Sequence, residues 1–193
     1  YTTVKAHAVY QLCLYWNSEA SKYNPVAQLN DYYYRAINSD KIFDTAFRFH
    51  YAKALQLYHQ NEKLLDSFSF VKNILVSMKE KILLPQVNIE TMQTQLPDNS
   101  IAVFLKFKNT SALYIRAVKI DALNTFSSKK ENNISYFKSL PAIVTQDIAL
   151  PVTTDYQMHN VHIKLNPLPT GRYALLYSDA AITKDAKTTD YII

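Results

Sequence analysis

Glycine occurs once in these 193 residues, at position 171, and cysteine once, at position 13. Ordinary usage would place about 13 glycines in a chain of this length. Phosphate-cradling loops, dinucleotide-binding turns and nucleophile elbows each need two or more glycines where the backbone bends sharply or approaches a ligand. A chain with one glycine cannot build any of them. A single cysteine excludes an intrachain disulfide and a CxxC metal site. Cys13 lies in a helical, apolar setting and reads as a small core residue. No run of 18 apolar residues occurs, so no transmembrane helix is read. The 21 basic residues against 16 acidic ones give a net charge of +5, but they are scattered, and Lys129–Lys130 is their single adjacent pair. Nucleic-acid surfaces cluster their lysines and arginines, so no nucleic-acid partner is expected. No membrane contact by this chain is expected either. The opening YTTVKAH has no signal-peptide pattern, and together with the ending DYII it reads as a piece of a longer protein.

Aromatic residues are abundant, with fifteen Tyr, nine Phe and one Trp, and 48% of the chain is hydrophobic. That composition supports a packed core. The pattern changes near LLPQV, residues 83–87. Before it the apolar spacing is helical; after it the spacing is two, and five of the seven prolines lie beyond Pro85. The expected fold class is α+β in two parts: a helical segment over 1–84 and an antiparallel β-sandwich over 85–193.

In the first part, Val4, Ala8, Leu12 and Trp16 recur every fourth residue and predict the inward face of a helix over 3–21. Pro25 suits the first turn of a second helix carrying Val26, Leu29, Tyr33 and Ile37 inward. INSD (37–40) reads as a turn. A third seam follows, through Phe43, Phe47, His50, Ala54, Leu57, Asn61, Leu64, Phe68, Val71, Leu75, Met78 and Ile82. One helix of about 60 Å fits it, and so do two antiparallel helices turning near HQNE (59–62). The seam reads as packing, with His50 a core histidine. No tetratricopeptide register is present.

In the second part the expected strands are Val87–Met92, Val103–Lys108, Leu113–Ile120, Ile143–Leu150, Val161–Leu165, Tyr173–Tyr177 and Thr189–Ile193. LPDNS (96–100) and KNTS (108–111) read as turns, and Asn109 tolerates the left-handed region. LYIRAVKI (113–120) is apolar on both faces, as for a strand covered on both sides. NTFSSKKENN (124–133) reads as a polar loop. Short strands with regular turns point to an antiparallel sandwich. The lone Gly171 falls in LPTGRY. Pro169 and Gly171 are expected to form a structural hairpin turn, with Gly171 at positive φ.

Catalytic, cofactor-binding and metal-ligating residues are not expected. His159 and His162 form an HxxH, but residues three apart on a strand point to opposite faces. Asp147 and Asp155 flank a proline turn and read as solvated carboxylates. No side chain has the setting of an activated nucleophile. The sequons at Asn109 and Asn133 are short matches of low specificity. The expected protein is therefore not an enzyme.

Three stretches carry a family resemblance. LKFKNTSALYIRAVKI (105–120) resembles the early strand pair of large bacterial α2-macroglobulin-like proteins. DYQMHNVHIKLNPLPTGRYALLYSD (155–179) is similar to that family's segment ending in an Lp.G.Y pattern, and KILLPQV (81–87) to its lead-in. The resemblance implies a helical region followed by a first macroglobulin-like domain, of the fibronectin or immunoglobulin kind of sandwich. It further implies a non-catalytic module within a protease-trapping protein of the periplasm or cell envelope, or a secreted one, with a lipid anchor upstream as one arrangement. Its partners would be neighbouring domains, and proteases through the intact protein. The thioester motif of many members, Cys-Gly-Glu-Gln, is absent here: Cys13 precedes Leu14, and the one glycine is Gly171. The alternative is an adhesion or protein-binding module of another secreted protein.

Overall fold

The structure is a computed structural model, described here for residues 2–23, 45–91, 99–120, 130–183 and 190–192. The expected helix at 25–37, the turn at 37–40, the start of LPDNS and residues 124–129 of the polar loop lie outside the described residues. The chain divides into two compact units. One comprises Tyr1–Leu84 with Thr153–His159, the other Pro85–Val152 with Asn160–Ile193.

The first unit is helical. Helix α1 spans Thr2–Ala20. A 3₁₀ turn, Thr45–Phe49, leads into α2, His50–Gln60. A single turn, α3, covers Glu62–Leu65, and α4 covers Ser69–Leu83. The long seam is thus broken, first at Asn61 and again at 66–68, and the one-helix reading is excluded. Asn61 leaves helical geometry (φ −118°, ψ 12°) while its side-chain amide donates to the Leu57 carbonyl at 2.9 Å. Such side-chain bonding competes with the helix ladder and favours termini. Ala54, Leu75, Met78 and Ile82 from the seam are buried together with Val9 and Cys13 of α1 and with Leu65, which takes the place expected for Leu64.

The face expected for α1 is wrong. Val4, Ala8 and Leu12 are exposed, while Ala6, Val9, Cys13 and Ala20 are buried. Apolar residues lie all around this helix, so an every-fourth-residue row exists on more than one side. The row that packs is the one with small residues, Ala6, Cys13 and Ala20, which permit close helix approach. Trp16 is partly buried against that core.

The second unit holds seven strands in two sheets: β1 (Gln86–Thr91), β2 (Ile101–Lys108), β3 (Ala112–Ile120), β4 (Ala142–Ala149), β5 (His159–Leu165), β6 (Arg172–Ser178) and β7 (Asp190–Ile192). The first sheet has the order β1-β2-β5, the second β4-β3-β6-β7. The strand pairs β1–β2, β3–β4, β3–β6 and β6–β7 are antiparallel. Alternate residues of both sheets form one core: Ile89, Val103, Leu105 and Phe107 with Leu113, Ile115, Leu175 and Tyr177. This is the expected antiparallel sandwich. The opposite face of the second sheet is also covered. Val118, Ile120, Ala174 and Leu176 pack with Phe137 from a helix, α5, over Lys130–Ser139. That explains why LYIRAVKI is apolar on both faces. It also corrects the reading of the polar loop, whose last residues begin α5. Arg116 donates to the carbonyls of Lys138 and Leu140, placing a cation at the helix C-terminus, where orphan carbonyls and the dipole favour it. The contact is invisible to local pattern because the partners are more than twenty residues apart.

Candidate functional site

The two positions singled out as a turn, Pro169 and Gly171, lie between β5 and β6. These strands belong to different sheets, so the connection crosses the sandwich edge and is not a hairpin. Gly171 does not hold positive φ. Its requirement is space: a Cβ there would stand 3.1 Å from Lys119 Cε and 3.2 Å from both Tyr173 Cε2 and its hydroxyl. The preceding Leu168 is buried in the sandwich core. A similar crossing joins β2 to β3, and here the left-handed residue is Asn109, at φ 54°, as its side chain allows. Thr110 Oγ1 accepts from the Ala112 N–H at 3.4 Å and donates to the Ala112 carbonyl at 2.9 Å, holding the corner.

The two histidines of the HxxH do not meet a common ligand. The ring of His162 lies 5.1 Å from that of Phe104. His159 bonds Asp155 at 2.8 Å. No group of three metal-ligating side chains occurs among the described residues. Cys13 is fully buried with its thiol directed at the Ala54 carbonyl, 3.6 Å away, and burial pushes its pKa up to about 11. A thiol so held stays protonated and unreactive. His50 is buried, its ring 4.7 Å from Trp16 and 5.5 Å from Phe47, which fits the core-histidine reading.

Asp155 is the residue sequence reasoning misplaced. Its side chain is 1% exposed, not a solvated turn carboxylate. Arg48 Nε donates to Oδ2 at 2.6 Å, His159 Nε2 donates to Oδ1 at 2.8 Å, and the Gln157 N–H donates to Oδ1 at 3.2 Å. Burial would raise the Asp155 pKa, but these three donors outweigh it and hold the carboxyl near 2. The Arg48 guanidinium is correspondingly raised by its bond to Asp155. Gln157 adds a further anchor, its amide donating to the Ala20 carbonyl at 3.0 Å and the Phe47 carbonyl at 3.5 Å. Between Asp155 and Gln157, Tyr156 packs on the helical core with φ at 56°. The segment therefore brings a carboxylate and an imidazole to the guanidinium of Arg48. All three donors serve the carboxylate, so the arrangement acts as an anchor. The sequence held one weak signal for it, the spacing Asp-x-Gln-x-His, which has no meaning until Arg48 is beside it.

Asn133 of the second sequon is buried, its amide donating to the Tyr191 hydroxyl at 3.0 Å. No helix among the described residues is long and apolar enough to cross a membrane.

No family profile matches the chain, and no curated protein matches it. Among solved structures, the Salmonella enterica trimeric lipoprotein SadB is similar over 79% of this chain and 91% of its own, with 10% identity and a TM-score of 0.27. A superposition that loose carries no argument about fold or function.

Proposed function

We propose that this chain is a non-catalytic structural module of a larger bacterial α2-macroglobulin-like envelope protein, one that traps or inhibits proteases as an intact molecule. One observation carries the reading. Each of the two long resembling stretches coincides with a crossing from one sheet of the sandwich to the other. LKFKNTSALYIRAVKI is β2, the Asn109 corner and β3. DYQMHNVHIKLNPLPTGRYALLYSD is the Asp155 anchor, β5, the Gly171 crossing and β6. The residues by which the stretches resemble the family are those the fold uses: Asn109 at the corner, Leu113, Leu165, Leu168 and Leu175 in the core, and Tyr173 packed against it. Resemblance concentrated at chain crossings supports descent from a common sandwich more than a chance match on one strand.

On this reading the partners are neighbouring domains of the intact chain, and attacking proteases through the whole protein. The setting is the periplasm or cell envelope. The chemistry of trapping belongs to other parts of the molecule, because Cys13 is buried and lacks the thioester context. The test uses the intact gene product and an elastase-like protease. Trapping leaves hydrolysis of a small peptide substrate intact while protecting a large protein substrate. This chain alone is expected to protect neither substrate. An intact product that protects no protein substrate, and whose sequence lacks further sandwich domains of about 100 residues, would defeat the proposal.

A further inference from the structure

Residues 153–159 form no regular secondary structure over most of their length, yet they belong to the helical unit, while the residues on either side, up to Val152 and from Asn160, belong to the sheet unit. Irregular backbone is normally at the surface, because its polar groups need partners. This stretch instead has Asp155 and Gln157 buried. Each buried group is met by a specific partner on the helical unit: Arg48 for Asp155, and the carbonyls of Ala20 and Phe47 for Gln157. Tyr156, between them, takes a left-handed backbone conformation that a bulky side chain adopts only when its surroundings enforce it. Its ring packs against the core that holds Val9, Cys13, Ala54 and Leu75.

We infer that Thr153–His159 is a strap that latches the helical unit, with Asp155 as its catch and Tyr156 as a strained link that keeps the closed state releasable. Closed, the strap completes the helical core and ties the end of α1, at Ala20, to the 3₁₀ turn, at Phe47, through the single side chain of Gln157. Released, it exposes Tyr156, leaves Arg48 without its carboxylate and unties those two helical ends. The strain at Tyr156 and the bonds at Asp155 oppose one another, so weakening the catch opens the strap before it disturbs the strands. The device lies within the helical unit and does not depend on the proposed protease-trapping role.

Hydrogen exchange read by mass spectrometry tests it on the full chain, as wild type, Asp155→Asn and Asp155→Ala. In the wild type, peptides covering 154–159 are expected to be as protected as those of α1 and α2. In Asp155→Ala the strap should exchange about tenfold faster or more, with acceleration spreading to 2–20 and 45–60 and none in 101–120. Asp155→Asn keeps an acceptor for the Gln157 N–H and should give the same pattern more weakly, which covers the case in which the alanine variant does not fold. Chymotrypsin provides a second reading: Tyr156 should resist cleavage in the wild type and become an early site in either variant. A strap that exchanges like unprotected peptide in the wild type overturns the inference. So does a variant in which strap and helices keep wild-type protection, or one in which the strands are the first to lose theirs.

Discussion

The two units close their cores by different means. In the sheet unit the core between the two sheets is lined by apolar side chains, and polar groups bond across its margins. Gln146 of β4 donates to the Lys164 carbonyl at 3.2 Å and accepts from the Asn166 N–H at 3.0 Å, while the Tyr177 hydroxyl bonds Asn88 at 3.2 Å. These contacts join one sheet to the other, and ladder bonds satisfy the backbone. In the helical unit the closing piece is an irregular segment from far along the chain. It has no ladder, so its polar groups must find side-chain and helix-end partners one by one. That requirement explains why the Asp155 carboxylate is buried there. A core closed by ladders fails by losing volume, whereas one closed by a strap fails by losing a single charge.

The largest expected effect tests the first half of that contrast. Phe107 is fully buried in the sandwich core. Phe107→Ala should cost about 3–5 kcal/mol through transfer and cavity terms, measured by denaturant unfolding. A loss under about 1 kcal/mol would mean that the sandwich interior collapses freely around the deletion. Next comes the charge. Asp155→Ala leaves Arg48 and His159 facing a void. Breaking a buried pair costs about 3–5 kcal/mol, but the Arg48 side chain is 37% exposed, so about 2–3 kcal/mol is expected. Trp16, the one tryptophan, sits in the helical core and reports this loss by fluorescence.

The same carboxylate sets a pH dependence. Its folded pKa, about 2, lies below the ordinary value of 3.8. Its contribution is therefore complete above about pH 4 and is lost as the pH falls through 4 toward 2. Arg48 and His159 are its charged or titratable partners, with Tyr23 acting on Arg48. Acid unfolding of Asp155→Asn should lack the part of the slope in that window, and an unchanged acid limb would deny Asp155 its role.

Gly171→Ala should cost within about 1 kcal/mol. The backbone is not strained, the new Cβ crowds only side-chain atoms, and the unfolded chain loses entropy in compensation. Gly171→Val should cost more, because the Tyr173 ring has less room to yield. Equal melting temperatures for all three proteins would remove the space argument. The smallest effect sharpens the comparison inside α1: Leu12, 47% exposed, should tolerate alanine within about 0.5 kcal/mol.

How far the sequence could be read differs between the units for a physical reason. A strand of the sandwich has only two faces, and alternation assigns them: it places Val103, Leu105 and Phe107 on one face, and they are buried together. A helix has a continuum of faces, and α1 is apolar on most of them, so Val4, Ala8 and Leu12 offered a row as regular as the true one. Residues that pair with distant partners were beyond reach. Nothing near Asp155 announces Arg48, 107 positions earlier, and nothing in KENNISYFKS announces the apolar sheet face that makes it a helix. Gly171 lies in the β5–β6 connection, and what holds glycine there is the closeness of the Lys119 and Tyr173 side chains, not its own torsion.

Asn133 has a consequence for biosynthesis. Its amide nitrogen, the atom to which a glycan would be joined, is buried against the Tyr191 hydroxyl, and Phe137 one turn on meets the Tyr191 ring edge to face at 4.9 Å. Sequon transfer in a eukaryotic secretory pathway acts on chain that has not yet folded. A sugar added at Asn133 would stand where β7 and α5 must meet, and the helix could not settle on its sheet. Chain made in such a host should divide into a glycosylated, misfolded fraction and an unmodified, folded one, whereas a bacterial host would yield the folded form alone.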